Sequence, residues 1–309
     1  MRWIDDTYVR LWPRRPVFEE GWGDALTLER GLDPSLREVE PEPAAIRWTR
    51  SRTHGRAKVT EGLLTSPDAE LPAESRVGRV LRVEPRDGAP RGLVVALAAW
   101  GDEGFDTRRR LLSRAIAGGV GTLLLENPLY GTRRRVGQDG PRLRTVGDFV
   151  AMGRATVLEA RALMAWARPR YERVGVAGFS MGAQMAAISA VLVPWPVRVI
   201  LVASALSPAR VFFDGPLVAD VERAPLGAGG FDRLRGLMQQ LSVLDLPPPH
   251  DPRLARIVGT RGDGIVPPED SEAIARHWGA PLRWIDDGHV SSVLRRPHAM
   301  GQAVCDAFA

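Results

Sequence analysis

From residue 93 onward, short unbroken apolar runs alternate with segments whose apolar residues recur every three or four positions. A short apolar run bounded by turn residues is the mark of a strand buried on both faces, and the three-to-four spacing marks one face of a helix. Leu93-Val94-Val95-Ala96-Leu97-Ala98 predicts a buried strand, 106–118 a helix, and Gly121-Thr122-Leu123-Leu124-Leu125 a second strand. Residues 147–168 predict a long helix with Val150, Val157, Leu158, Leu163 and Trp166 on its buried side and Asp148 at its N-cap. The run from Val174 leads into a segment with Met181, Met185, Ile188 and Leu192 at helical spacing, and 197–203 is again a continuous apolar strand. After an interruption the alternation returns with a strand at 256–259, a helix at 269–277, a strand at 282–285 and a final helix ending near Phe308. Repeated strand–helix units call for a mostly parallel central sheet flanked by helices.

Two stretches depart from that rhythm. Residues 1–57 are rich in Trp, Arg, Pro and Glu, and the prolines at 13, 16, 34, 41 and 43 rule out one long helix. Short amphipathic pieces are expected at 4–11 and Ala25–Glu29, packing Trp3, Trp12 and Trp22 onto the main domain as an N-terminal extension. Residues 58–65 and 77–83 alternate as a pair of strands would, so the main domain is expected to run from 58 to 309. The second departure, 204–250, holds Gly227, Gly229, Gly230, Pro247-Pro248-Pro249 and one amphipathic helix near 231–241. It is too long for an ordinary connection and is expected to form a short lid over a substrate pocket.

Composition narrows the function classes. With 44% hydrophobic and 26% charged residues in 309, the chain has material for a sizeable core and reads as a globular protein of the cytoplasm. No apolar run reaches membrane-spanning length, and Met1-Arg2-Trp3-Ile4-Asp5-Asp6 lacks the apolar core of a secretory signal. The single cysteine, Cys305, excludes a disulfide framework and a thiolate metal cluster, and reads as a core or interface thiol on a terminal helix. The net charge of +5 is almost wholly arginine, since Lys58 is the only lysine. The clusters Arg108-Arg109-Arg110 and Arg133-Arg134-Arg135 read as solvated helix faces or loops, with phosphate-bearing lipids or nucleic acid as the alternative, although no nucleic-acid motif accompanies either.

The chemistry is carried by Gly178-Phe179-Ser180-Met181-Gly182, set between an apolar run and a helical segment. A Gly-x-Ser-x-Gly at a strand-to-helix turn is a nucleophile elbow, which holds the serine hydroxyl exposed above a sheet. The fold class expected is therefore α/β, an α/β-hydrolase fold. A serine needs a base to take its proton and a carboxylate to orient that base. Of the five histidines, His54 precedes the predicted sheet, His250 lies in the insertion, and His277 and His298 fall on helices. His289, in a Gly-His loop directly after the last predicted strand, is the candidate base. Asp263, between two glycines after the preceding strand, is the candidate acid, and the order Ser180, Asp263, His289 is that of this fold. Asp286 and Asp287 are rivals so close to His289 that they are expected to shape its loop instead. For a developing oxyanion, the backbone amide of Met181 is one candidate donor and that of Asp102 the second, with Trp100 in reserve. Such chemistry needs no metal and no organic cofactor.

Longer stretches carry a family likeness. Leu124-Leu125-Glu126-Asn127-Pro128-Leu129-Tyr130-Gly131, Val146-Gly147-Asp148-Phe149-Val150-Ala151-Met152-Gly153, the elbow and Asp287-Gly288-His289-Val290-Ser291 resemble the abhydrolase-domain type-eighteen proteins, a subfamily of the α/β-hydrolases. The likeness extends to Gly21-Trp22-Gly23 and to Trp100-Gly101-Asp102 with the Arg108 cluster. It implies a serine hydrolase using Ser180, Asp263 and His289 on a small-molecule or lipid acyl ester or thioester. The same triad would serve an acyltransferase, and an idle binding module is the reading from another class. The chain departs from the family at Leu129, where a second aromatic is expected, and at Ala183-Gln184, where glycine and histidine are expected; its insertion is also shorter. Asn127 and Tyr130, with Trp100, are candidates for the substrate pocket, and a structural turn is the alternative for the first two.

Overall fold

In the computed structural model, which describes residues 2–11, 16–29 and 33–309, the apolar runs lie side by side in one nine-stranded sheet. The chain begins with helices α1 (Arg2–Leu11) and α2 (Ala25–Glu29), and then enters the sheet through β1 (Ala45–His54), β2 (Ala57–Thr65) and β3 (Val77–Pro85). The central alternation comprises β4 (Leu93–Leu97), α3 (Asp106–Leu111), α4 (Ser113–Ala117), β5 (Gly121–Leu125), α5 (Val146–Ala167), β6 (Val174–Phe179), α6 (Met181–Val191) and β7 (Arg198–Val202). Helices α7 (Pro208–Phe212) and α8 (Gly230–Gln239) interrupt it, and β8 (Ala255–Thr260), α9 (Pro268–Trp278), β9 (Leu282–Ile285), α10 (His289–Arg295) and α11 (Ala299–Phe308) close the chain.

The strand order is β1-β2-β3-β5-β4-β6-β7-β8-β9. The pairs from β1 to β5 are antiparallel, and every pair from β5 through β9 is parallel. Successive residues of a strand face opposite sides, and the central strands are apolar on both because both sides are covered. Val95, Leu97, Leu123, Leu125, Val199 and Leu201 pack beneath α5, α6 and α9. Val94, Ala96, Leu124, Ile200 and Val202 pack against α3, α4 and α11. The chain passes from β4 to β5 on one side and returns to β6 on the other, so a crevice opens beyond the ends of β4 and β6. That switch point sets where a ligand finds room.

Several local expectations change. The stretch read as an extension contributes β1, whose Ile46 and Trp48 lie over the core while Arg47, Arg50 and Arg52 face outward; Trp48 packs on Trp166 with ring centroids 5.6 Å apart. The N-cap of α5 is Thr145, not Asp148: Thr145 Oγ1 accepts the Asp148 amide at 2.9 Å and the Asp148 carboxylate accepts the Thr145 amide at 3.3 Å. Asp148 is thus the third helical residue of a capping box. Trp22 packs on the aromatic cluster above the sheet and donates its indole N–H to Leu226 O at 3.0 Å. Trp12 and the side chain of Trp3 lie outside the described residues. Neither arginine cluster is simply a solvated face. Arg108 and Arg133 are buried, Arg134 pairs with Glu103 and Arg135 with Asp148. Cys305 sits half-buried on α11, its Sγ 3.6 Å from Arg114 O, and burial pushes its thiol pKa up. Among the described residues no helix is long and apolar enough to cross a membrane.

Candidate active site

Ser180 stands between β6 and α6 with φ at +56°, a conformation that side-chain-bearing residues rarely adopt and that costs about 1–3 kcal/mol. Its amide is anchored to Val202 O at 2.9 Å, and the glycines on either side explain why so tight a turn is sterically open. A Cβ on Gly178 would meet the Gly182 carbonyl carbon at 2.0 Å, and one on Gly182 would meet Leu97 O at 2.6 Å. The serine is therefore held above the end of β6 by packing that no larger residue permits.

Two loops converge on it. His289, the first residue of α10 after β9, places Nε2 3.0 Å from Ser180 Oγ and Nδ1 2.8 Å from Asp263 Oδ2. Asp263, in the loop after β8, is itself saturated. Its Oδ2 also accepts Thr260 Oγ1–H at 2.6 Å, and its Oδ1 accepts the amides of Ile265 at 2.9 Å and Val266 at 2.8 Å. Burial acts to raise the Asp263 pKa, but the imidazole of His289 and these hydrogen bonds outweigh it, so the carboxyl sits below its ordinary value and is a carboxylate. A carboxylate on Nδ1 fixes the proton there and leaves Nε2 as the acceptor facing the serine. The Phe179 ring lies 4.7 Å from the imidazole, centroid to centroid, and shields that side. The rival acids point elsewhere, Asp286 to Arg261 and Asp287 to Arg295 and Arg296. The other histidines also lie away from the site: His277 Nε2 bonds Leu246 O and His298 Nδ1 meets Ser113 Oγ, while His54 and His250 are exposed.

The serine and imidazole open into a cavity of ≈ 620 Å³. Its walls are mainly apolar, with Trp100, Phe149, Met185 and Ile188 on one part and Phe212 and Leu217 from the 204–250 stretch on another. Trp100 and Phe212 meet edge to face at 5.2 Å, so α7 is fastened to the loop after β4. Gln184 lines the cavity and donates to Leu241 O at 3.0 Å.

Of the pocket candidates Trp100 lines this cavity, whereas Asn127 and Tyr130 do not. Both are buried. Asn127 accepts from Thr156 Oγ1 at 3.1 Å, and the Tyr130 hydroxyl accepts the Gly101 amide at 3.4 Å, so the turn supports the loop after β4 from behind. The oxyanion expectation also shifts. The Met181 amide, in the first turn of α6, has no helical acceptor. The Asp102 amide, in contrast, is spent on Ala99 O at 3.1 Å, and the Asp102 carboxylate turns away to Arg108 at 2.7 Å. Burial raises the Asp102 pKa against the pull of Arg108. The Trp100 amide, the reserve, makes no hydrogen bond among the described residues. Among them, too, no group of His, Cys, Asp and Glu side chains is placed to hold a metal ion.

Sequence reasoning missed Thr260, Arg108 and Asp5, the last because nothing in an N-terminal helix announces a contact with loops at residues 264 and 289. Their signal was their type alone.

The comparisons bear on the fold that carries this site. The solved structure of acetyl xylan esterase 1 from a Thermoanaerobacterium species is similar over 98% of this chain and 98% of its own, with 16% identity and a TM-score of 0.59. An acetyl xylan esterase from a Paenibacillus species matches over 94% of this chain and 98% of its own, at 15% identity and a TM-score of 0.53. The esterase Est22 matches over 82% of this chain and 81% of its own, at 13% identity and a TM-score of 0.54. At such identities the likeness establishes the α/β-hydrolase fold. The family described as alpha/beta hydrolase domain containing 18 matches residues 15–226 and 231–309, nearly the whole chain, and the protein belongs to that family.

Proposed function

We propose that the protein is a serine hydrolase that cleaves carboxylic esters or thioesters with an apolar acyl group through an acyl-enzyme. The observation that carries this reading is the unbroken relay from Ser180 Oγ through His289 to Asp263, at 3.0 and 2.8 Å, opening on an apolar cavity. Ser180 Oγ attacks the acyl carbonyl while His289 Nε2 takes its proton; the imidazolium then returns that proton to the leaving oxygen or sulfur. Asp263 holds the tautomer and balances the imidazolium charge. The Met181 and Trp100 amides receive the oxyanion, each worth about 3–4 kcal/mol in the transition state. Water activated by the same histidine releases the acid. The apolar walls favour an aliphatic or aromatic acyl group over a charged one, since a charge set against those walls would lose its hydration.

The test is labelling with a fluorophosphonate probe, wild type beside Ser180→Ala and His289→Ala, with mass-spectrometric mapping of the adduct. Labelling of wild type at Ser180 and of neither variant is expected, followed by turnover of p-nitrophenyl esters. Folded wild type that takes no label refutes the hydrolase reading and favours a binding role for the same fold. Product partition in the presence of added alcohols or amines separates hydrolysis from acyl transfer.

A further inference from the structure

Asp5, on α1, is fully buried although it is a carboxylate near the start of the chain. Its Oδ2 accepts the Gly264 amide at 2.9 Å and the His289 amide at 2.6 Å, and its Oδ1 accepts the Val290 amide at 2.9 Å. Gly264 follows the candidate acid, and His289 is the candidate base. One side chain thus grips the acid loop and the base loop together. Both loops lie at the ends of edge-side strands, and β8 and β9 pair only as far as Thr260 and Ile285. Beyond that point, Arg261 and Gly262 still donate to Ile285 O and Asp287 O. Asp5 supplies the next tie, at the height of the imidazole.

We infer that Asp5 is a positioning residue, which sets the distance between Asp263 and His289 from the N-terminal helix. The inference rests on the serine-hydrolase reading for its kinetic consequence. Three amide donors converge on two oxygens, an arrangement that only a carboxylate satisfies: an asparagine has one acceptor oxygen, and its amide nitrogen would face an N–H. The fit is close on the other side as well. A Cβ on Gly288 would lie 2.5 Å from an Asp5 carboxylate oxygen. The same helix contributes Tyr8 and Val9 to the cavity wall, so α1 contacts both the relay and the space it serves.

The experiment compares full-length wild type, Asp5→Asn, Gly288→Ala and, as control, Asp6→Asn, whose side chain is exposed on the same helix. Gly288→Ala keeps every polar group and pushes Asp5 away sterically, so it reads the contact should Asp5→Asn fail to fold. Three readouts are taken: fluorophosphonate inactivation resolved into a maximal rate and a half-saturating concentration, amide hydrogen exchange, and the His289 Nδ1 proton by NMR. In both test variants the maximal rate is expected to fall about 10- to 100-fold, as displacement of a catalytic group by a fraction of an ångström to an ångström does, with half-saturation unchanged. Faster exchange confined to Gly264, His289 and Val290 and loss of the downfield Nδ1 proton accompany it, and Asp6→Asn behaves as wild type. Wild-type rates with retained protection at those amides in either folded variant overturn the inference, as does loss of protection throughout the sheet. If wild type takes no label, the hydrolase reading falls by itself; exchange and the Nδ1 proton then decide whether Asp5 holds the two loops.

Discussion

Replacing Asp263 with asparagine removes a charge and almost nothing else, and under the proposed mechanism that charge fixes the tautomer of His289. The asparagine side chain would keep an oxygen at the Oδ1 position for the Ile265 and Val266 amides, now 2.9 and 2.8 Å away. Its NH2 would then occupy the Oδ2 position, 2.8 Å from His289 Nδ1 and 2.6 Å from Thr260 Oγ1. The threonine hydroxyl can rotate to accept. The imidazole must turn Nδ1 into an acceptor, which moves its proton to Nε2 and presents an N–H to Ser180 Oγ where a base is required. A wrong tautomer costs about 10⁴-fold in rate, equivalent to about 5.5 kcal/mol of barrier. Stability falls far less, by about 1–2 kcal/mol, because charge-assisted hydrogen bonds are exchanged for neutral ones and none is orphaned. Asp263→Ala, by contrast, strands the buried Val266 amide and the Thr260 hydroxyl at about 1–3 kcal/mol each, and the part-buried Ile265 amide at less. Single-turnover labelling and urea unfolding of both variants separate the two effects. The sign with pH is also fixed. The folded-state pKa of Asp263 lies below its ordinary 3.8, so its stabilising contribution is full above that value and is lost as the pH falls through the folded pKa. The stability gap between wild type and Asp263→Asn is therefore expected at pH 7 and shrinks at pH 3. An Asp263→Asn variant that labels within 10-fold of wild type refutes the tautomer argument.

Glu159→Gln breaks an ion pair in which both side chains are fully buried, with Arg133 donating to Glu159 at 2.8 and 2.5 Å; unfolding free energy should drop by about 3–5 kcal/mol in urea titration, since the arginine charge is left uncompensated. Gly182→Ala sets a methyl group against Leu97 O and Ala98 O at 2.6 and 2.8 Å, and should abolish labelling of Ser180 while circular dichroism still reports a folded helix–sheet protein. Met185→Trp places bulk in the cavity from α6 and should lower kcat/KM for octanoyl esters at least ~10-fold more than for acetyl esters, the discrimination that loss of about 1.4 kcal/mol of apolar contact gives.

The parts of the fold legible in the sequence are those where one physical signal acts alone. Strands such as β4, β5 and β7, covered on both faces, are apolar over most of their length, with Thr122 and Arg198 as exceptions, and the elbow needs its two glycines because backbone passes within a Cβ's reach. β1 was hidden by its position at the sheet edge: one face carries Arg47, Arg50 and Arg52, which discourage further pairing and also dilute the apolar signal. The cap of α5 lies three residues before Asp148 because Thr145 and Asp148 are both good capping types and act together. Ser180 and His289 fell out of local context, since each follows a strand at a turn. Whether Asp102 or Trp100 offers its amide depends on a hydrogen bond to Ala99 O, which no residue type announces. Asp5 lies more than 250 residues from the loops it touches, and a single sequence carries no trace of so distant a contact.

The arginine-rich composition, which by itself pointed only to surface charge, acquires a different sense at the switch point. The β4–β5 pairing ends at Ala96 and Leu124, and a buried carbonyl left unpaired at such an end is costly. Arg108 meets this end from α3. Its Nη1 donates to Ala96 O at 3.1 Å and Leu125 O at 2.5 Å, its Nη2 to Gly104 O at 2.6 Å, and its Nε to Asp102 at 2.7 Å. One planar fork thereby ties two strand ends to the loop that bears Trp100, and the Asp102 carboxylate is drawn away from the serine, where its charge would oppose a developing oxyanion. A lysine has the charge but not the fork, and its three donors on one nitrogen cannot span those four acceptors. The residue that reads as a solvated cation is thus an inner strut of the site. The same holds for Arg133 beneath the Asn127–Tyr130 turn, so the loop that faces the serine is braced by guanidinium groups on both of its supports.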